Sequence, residues 1–345
     1  MSLGMTPATS LARTIAHGGI MKRVLKLSAM MLVVGAANGA MAAENGVTNY
    51  PAGSPGVFVG AFPPIPGLFA ISQTSYTSAN GLYDGSGNKL PIPFQLSAVS
   101  ETARFLASYP GEFFGAHVYS QLVVPYVHID NSNPGGTFQA NGFANLTISP
   151  VILNWALSPL QSVTLGLDIM PNTGTYSPSK PLNVGTNYTT ISPVFAYRYA
   201  DPKGFEFAIS PRLLLNGTNT ESVNVFTGGL QQYRSGDALA VDFTSGYNVG
   251  AWKLGMVGGY TQQYADDTVN GIKAFNAAGI QNGNRLRALN FGPSVTYNAG
   301  PVQINLNYQH TFYVENGTKA DTVWANVAFP IWVPAPPPGA GPGKH

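Results

Sequence analysis

The segment VQINLNYQHTFY at 302–313 separates into two sets when every second residue is taken. One set is Val302, Ile304, Leu306, Tyr308, His310 and Phe312; the other is Gln303, Asn305, Asn307, Gln309, Thr311 and Tyr313. A period of two places one set on each face of a β-strand. The wet face of a soluble sheet usually carries Lys and Glu. Here the polar face is built from amides and hydroxyls, so this strand separates an apolar surface from a polar, nearly uncharged one.

The same alternation recurs along the chain. Strands are expected near 68–77, 99–109, 114–127, 143–155, 162–170, 188–199, 205–215, 237–248, 251–264, 286–297, 301–313 and 320–332. Only 9% of residues are charged, against about 25% in soluble domains. Hydrophobic residues make up 44%, yet beyond the leader no run of about 18 apolar residues marks a membrane helix. Apolar residues spread over alternate positions fit an all-β chain: a transmembrane antiparallel β-barrel of about twelve strands. No cysteine is present, which excludes disulfides, thiolate metal sites and thiol catalysis.

Residues 21–42, MKRVLKLSAMMLVVGAANGAMA, combine Lys22, Arg23 and Lys26 with an apolar stretch and an Ala40-x-Ala42 cleavage pattern, the features of an export signal. Residues 1–42 are therefore expected to be a signal peptide, with 1–20 an upstream extension. Its removal takes four basic residues and no acid, so 13 of the 17 Lys and Arg then face 15 acids and the formal charge of +2 becomes about −2. Nothing in that balance argues for nucleic acid as a partner. Residues 43–66 are Gly- and Pro-rich and are expected to be either a plug in the lumen or a periplasmic lead; the plug reading singles out Tyr50, Phe58 and Phe62. The barrel should span 67–332, ahead of a disordered Pro/Gly tail at 333–345.

Connections alternate in length. The short ones are expected at 109–113, 156–161, 200–204, 248–252 and 298–301, and the long ones near 78–98, 128–142, 171–187, 216–236 and 265–285. Short turns at one end and long loops at the other are the pattern of outer-membrane barrels. Tyr76, Tyr109, Tyr126, Trp155, Tyr197, Tyr199, Trp252, Tyr264, Phe312 and Trp324 fall near strand ends, where amphipathic rings favour the membrane–water boundary. Pro150, Pro193, Pro211 and Pro293 fall inside expected strands. Each removes a ladder donor, so either the wall bulges there or the strands are shorter than drawn.

The polar phase defines a lumen. Arg104, His117, Tyr119, Gln121, Asp168, Arg198, Glu206, Arg212, Asp242, Lys253, Gln303, Asn305 and Asn307 are expected to face inward. Mixed acids and bases suggest paired charges, either along a substrate path or merely bracing the wall. No phosphate loop, zinc spacing or dinucleotide fingerprint is present, and no cofactor or metal is expected.

The ordered series ENGVTNYPAG (44–53), GLYDGSGNKL (81–90), ETARFLASYPGEFFG (101–115), QLVVPYVHID (121–130), LDIMPNTGTYSP (167–178), NVGTNYTTISPVFAYRYADPKGFEF (183–207), YRSGDALAVDFTSGYNVG (233–250) and LGMVGGYTQQYADDTVNG (254–271) resembles the family named for the meta-pathway of phenol degradation. That resemblance covers nearly all of the chain after the leader. It implies an outer-membrane barrel of a Gram-negative bacterium, associated with aromatic or hydrocarbon catabolism and with uptake of hydrophobic or aromatic small molecules. The outer-membrane lipid and the barrel assembly machinery are then its expected partners. The alternatives are a general diffusion porin, a structural barrel, and an outer-membrane lipid-modifying enzyme that would use His310 on the lipid-facing phase.

Overall fold

The structure is a computed structural model that describes residues 48–224, 227–276 and 280–335. The expected leader (1–42), the start of the lead segment (43–47) and most of the Pro/Gly tail (336–345) lie outside the described residues.

In chain order the strands are β1 (Gly67–Tyr83), β2 (Gln95–Phe113), β3 (Ala116–Asn133), β4 (Gly136–Phe143), β5 (Thr147–Ser158), β6 (Gln161–Met170), β7 (Thr190–Ala200), β8 (Phe205–Asn216) and β9 (Asn219–Val223). They continue with β10 (Leu230–Arg234), β11 (Ala238–Val249), β12 (Trp252–Gln263), β13 (Thr268–Val269), β14 (Ile272–Lys273), β15 (Arg287–Ala299), β16 (Val302–Glu315) and β17 (Gly317–Trp332). Twelve of them form a closed ring in the order β1, β2, β3, β5, β6, β7, β8, β11, β12, β15, β16, β17, with every pairing antiparallel. Closure by β1 with β17 leaves no unpaired edge, which a spanning sheet requires, because hydrocarbon cannot satisfy backbone polar groups.

Alternation sets the two faces. Leu254, Met256, Leu306, Tyr308, Val323 and Ile331 are exposed on the outside, whereas Asn305, Asn307, Gln309 and Asn326 of the opposite phase are buried. Among the described residues no helix is long and apolar enough to cross a membrane.

Several expected boundaries move. β1 and β2 run on to Tyr83 and from Gln95, so the long loop expected at 78–98 shrinks to 84–94. β2 also continues through 109–113, and the turn falls instead at Phe114 and Gly115, both at positive φ. The loop expected at 128–142 is mostly a hairpin of β3 with β4, and β5 begins at Thr147 rather than 143. The loops 216–236 and 265–285 supply β9, β10, β13 and β14, a separate four-stranded sheet. Trp324, expected in an aromatic girdle, shares the inward phase of Asn326 and pairs with inward Asn307.

All four strand prolines lie inside strands, so the shorter-strand alternative fails. Pro150 sits at a bulge, where both the β5–β6 and the β3–β5 registers shift. At the other three the register holds and the ladder is interrupted. Between β7 and β8, pairing lapses around Pro193 and again opposite Pro211; between β15 and β16 it lapses around Pro293. A missing N–H donor accounts for each gap.

Candidate functional site in the barrel lumen

Eight strands enclose just enough room for side chains, and twelve enclose more. Residues 48–66 occupy that room, touching inward residues on opposite walls. Their first half is held mainly by hydrogen bonds, with Tyr50 and Ala52 also packed on Leu214, Ala238 and Ala240, and their second half mainly by apolar contacts.

The polar grip on one wall centres on Asp242 of β11, which is fully buried. Its Oδ2 accepts a hydrogen bond from the Tyr50 hydroxyl at 2.5 Å and its Oδ1 one from the Gly53 N–H at 2.7 Å. Arg212 of β8 lies over the Tyr50 ring, 3.8 Å from its centroid, a cation–π contact strengthened by exclusion of water. Arg212 Nη1 donates to Asp168 Oδ2 of β6 at 2.8 Å, and its Nε stands 3.7 Å from Asp242 Oδ2. Asp168 Oδ1 accepts from Ser149 of β5 at 2.5 Å, Gln121 of β3 donates to Ser149, and Arg104 of β2 donates to Gln121 at 2.5 Å. A continuous polar belt thus runs from β2 to β11 and ends on the plug. Buried charges persist only when paired and hydrogen-bonded; here Arg212 pairs with Asp168 and stands beside Asp242, while Arg104 is held by the neutral Gln121.

The opposite wall grips the plug with amides. Asn305 Nδ2 donates to Ser294 and Thr296, and its Oδ1 accepts from Asn307 and Asn326. From this ladder Gln309 donates to Gly53 O at 3.1 Å and Gln73 to Ser54 O at 3.1 Å, while Asn290 of the same wall donates to Ala52 O at 3.0 Å. An amide carries both donors and an acceptor, so it can bond its wall neighbour and the plug backbone at once. That accounts for the amide-rich polar face of 302–313: it binds protein as well as lining a lumen. β12 approaches so closely that a Cβ on Gly259 would lie 2.3 Å from the Ala52 carbonyl carbon and the Gly53 nitrogen.

The apolar half is seated in two places. Val57 and Phe58 pack with Ile71 and Val257, with Ala328 alongside. Phe62 packs with Leu106, Tyr119 and Ile152, its ring 4.8 Å from that of Tyr119, whose hydroxyl donates to Pro63 O at 2.9 Å.

Not all of the candidates converge. Arg198, Glu206 and Lys253 form a separate network near the short-turn end: Glu206 Oε2 lies 3.1 Å from both cations, and its Oε1 accepts from Asn248 at 2.7 Å. His117 is near that end too, with Glu112 at 3.9 Å, and joins neither group. Among the described residues the Gln303 side chain bonds to Asn298 and to neither group. His310 is outside, sharing Asp321 with Tyr308; its neighbours along that face of the strand are Tyr308 and Phe312. Residues that carry much of the grip without having been singled out are Ser149, Gln73, Asn290, Gln309 and Asn326. Their only sequence signal was membership of the polar phase. Among the described residues no group of His, Asp and Glu is placed to hold a metal.

A family model described as "Putative MetA-pathway of phenol degradation" matches residues 79–327. Among solved structures, the COG4313 outer membrane channel from Pseudomonas putida F1 is similar over 80% of this chain and 98% of its own, at 16% identity and a TM-score of 0.68. That likeness establishes the barrel fold. A Pseudomonas aeruginosa FadL homologue aligns over 81% of this chain and 98% of its own at 10% identity, with a TM-score of 0.43. No curated protein matches the sequence.

Proposed function

The chain belongs to the phenol-degradation MetA-pathway family, and from that premise we propose that it is an outer-membrane channel admitting hydrophobic or aromatic small molecules. One observation carries this reading. The plug seats Val57, Phe58 and Phe62 on apolar patches of an otherwise polar inner wall. Those patches suit apolar side chains, and an apolar solute of similar size presents the same surface to them. The solute competes with the plug for its seats. A general diffusion porin needs an open aqueous path and has no use for such seats. The solute's path runs either along the lumen or sideways through the wall, and the interrupted β7–β8 ladder favours the second. In this reading the protein reaches the outer membrane through leader cleavage and the barrel assembly machinery.

Uptake of labelled solutes at low concentration by intact cells, with and without the gene, tests the proposal. Entry of aromatics, alkanes or fatty acids should slow in the deletion while that of small sugars is unchanged. Equal slowing of sugars would replace the reading with a porin; no change for any solute would remove it.

A further inference from the structure

A cavity of about 430 Å³ stands apart from the plug, at the long-loop rim. Its wall is made by Gln262 at the end of β12 and Tyr264 just after it, Arg287 at the start of β15 and Glu315 at the end of β16, with Asp266, Lys273 and Arg285 added by the 265–285 loop. The phase of these strands places it. Gln262 and Tyr264 continue the outward set of Trp252, Leu254 and Met256, and Arg287 continues that of Phe291 and Tyr297. The strand-borne charges Arg287 and Glu315 therefore stand on the membrane-facing side, just beyond the apolar belt, while Gln263 of the inward phase closes the cavity behind them. Phe291 and Phe312 lie below it on the same flank, stacked with centroids 4.1 Å apart.

Its charges are layered. Asp266 binds Lys273 Nζ at 2.9 Å and Arg285 Nε at 2.6 Å, and Glu315 lies 3.4 Å from Arg287 Nη1. The two acids are 20% and 18% exposed, whereas Lys273, Arg285 and Arg287 are 43%, 51% and 43% exposed. The carboxylates lie underneath and orient the cations, and the surface offered to a ligand is cationic. Arg285 meets Asp266 through Nε, which leaves its terminal nitrogens for a second anion. Arginine forks match phosphate geometry, and the amides of Gln262 and Asn282 around them suit sugar hydroxyls.

We propose that this rim cavity binds the phosphorylated sugar headgroup of an outer-leaflet glycolipid, with phosphate on Arg285 and Arg287 and the acyl chains against Phe291 and Phe312. A ligand carrying both phosphate and hydrocarbon covers both parts of the flank; a free sugar phosphate covers only one. The inference rests on the outer-membrane location proposed above.

The test uses the full chain folded in detergent and native mass spectrometry, with three probes: diphosphorylated lipid A, its dephosphorylated form, and glucosamine 1-phosphate. Diphosphorylated lipid A should bind at least tenfold more tightly than either of the others. The double variant Arg285→Gln/Arg287→Gln should lose at least tenfold, whereas Lys203→Gln, in a short turn at the other end, should lose nothing. Unchanged affinity in the double variant, or equal binding of the dephosphorylated lipid, overturns the site. Equal binding of glucosamine 1-phosphate overturns its assignment to a lipid. Gel mobility with and without boiling separates the two readings: a normal shift with no lipid binding removes this inference alone, and no shift removes the barrel reading with it.

Discussion

Asp242 serves three partners at once: the Tyr50 hydroxyl, the Gly53 N–H and, at longer range, Arg212. Truncating one member of a buried charge group leaves the others uncompensated, typically at a cost of about 3–5 kcal/mol. Asp242→Ala should therefore lower the temperature at which the unboiled gel mobility is lost, and should raise the frequency of channel openings in planar bilayers. Asp242→Asn keeps an acceptor for Tyr50 and should fall between. Wild-type conductance in Asp242→Ala would mean that the belt braces the wall without holding the plug. At the rim, Asp266 is held below the usual carboxylate range by hydrogen bonds from Arg285 and then from Lys273. A depressed folded pKa contributes stability above the unfolded value of about 3.9 and loses it as pH falls through the lower folded value. Hydrogen-exchange protection across 265–276 and 280–285, corrected for intrinsic rates, should thus hold at neutral pH and decline below about pH 4. In Asp266→Asn it should be low and flat with pH; a flat wild-type profile would contradict the assignment.

At the scale of elements, the β7–β8 seam is interrupted twice without a shift of register, because Pro193 and Pro211 stand on facing strands where pairings lapse. Restoring two donors by Pro193→Val/Pro211→Val should raise thermal stability by about 0.5–1.5 kcal/mol per bond regained. If solutes leave sideways here, the same double variant should slow apolar uptake; faster or equal uptake in a more stable protein would place the route in the lumen. The twelve barrel strands were legible because each carries several cycles of a period of two. Their ends were not, since alternation continues above the membrane wherever a strand protrudes, as in β1 and β3. The rim sheet was invisible for a different reason: β13 and β14 have two residues each, too few for any period. Within the lumen, the inward direction of Asp168, Arg212 and Asp242 could be read from phase. Their meeting could not, because ring closure and residue 50 bring them together across long separations in sequence. Trp324 has the ring chemistry of a girdle residue but the phase of the inward face, and phase decides where it points.

At the scale of the whole molecule, the barrel and residues 48–66 hold each other in place, and the plug is fixed by two kinds of contact that should fail differently. The polar grip is directional and acts mainly on its first half, where Tyr50 and Ala52 also rest on apolar side chains; the seats of Val57, Phe58 and Phe62 are not directional and act on its second. A Cβ at Gly259 strikes the plug backbone at Ala52 and Gly53, so Gly259→Leu should push the polar half off its wall without removing a hydrogen-bonding group. Phe58→Ala instead leaves the grip intact and empties an apolar seat, a loss of about 3–5 kcal/mol when the site does not collapse. Single-channel recording and apolar-solute uptake should then separate. Gly259→Leu should raise ionic conductance, because water reaches the polar wall once the backbone is displaced. Phe58→Ala should change conductance little and raise the initial rate of apolar uptake, because a solute no longer has to displace the phenyl ring. If both variants raised conductance and neither altered uptake, the plug would be a gate for water and ions, and the seats of Val57, Phe58 and Phe62 would have to be read as packing alone.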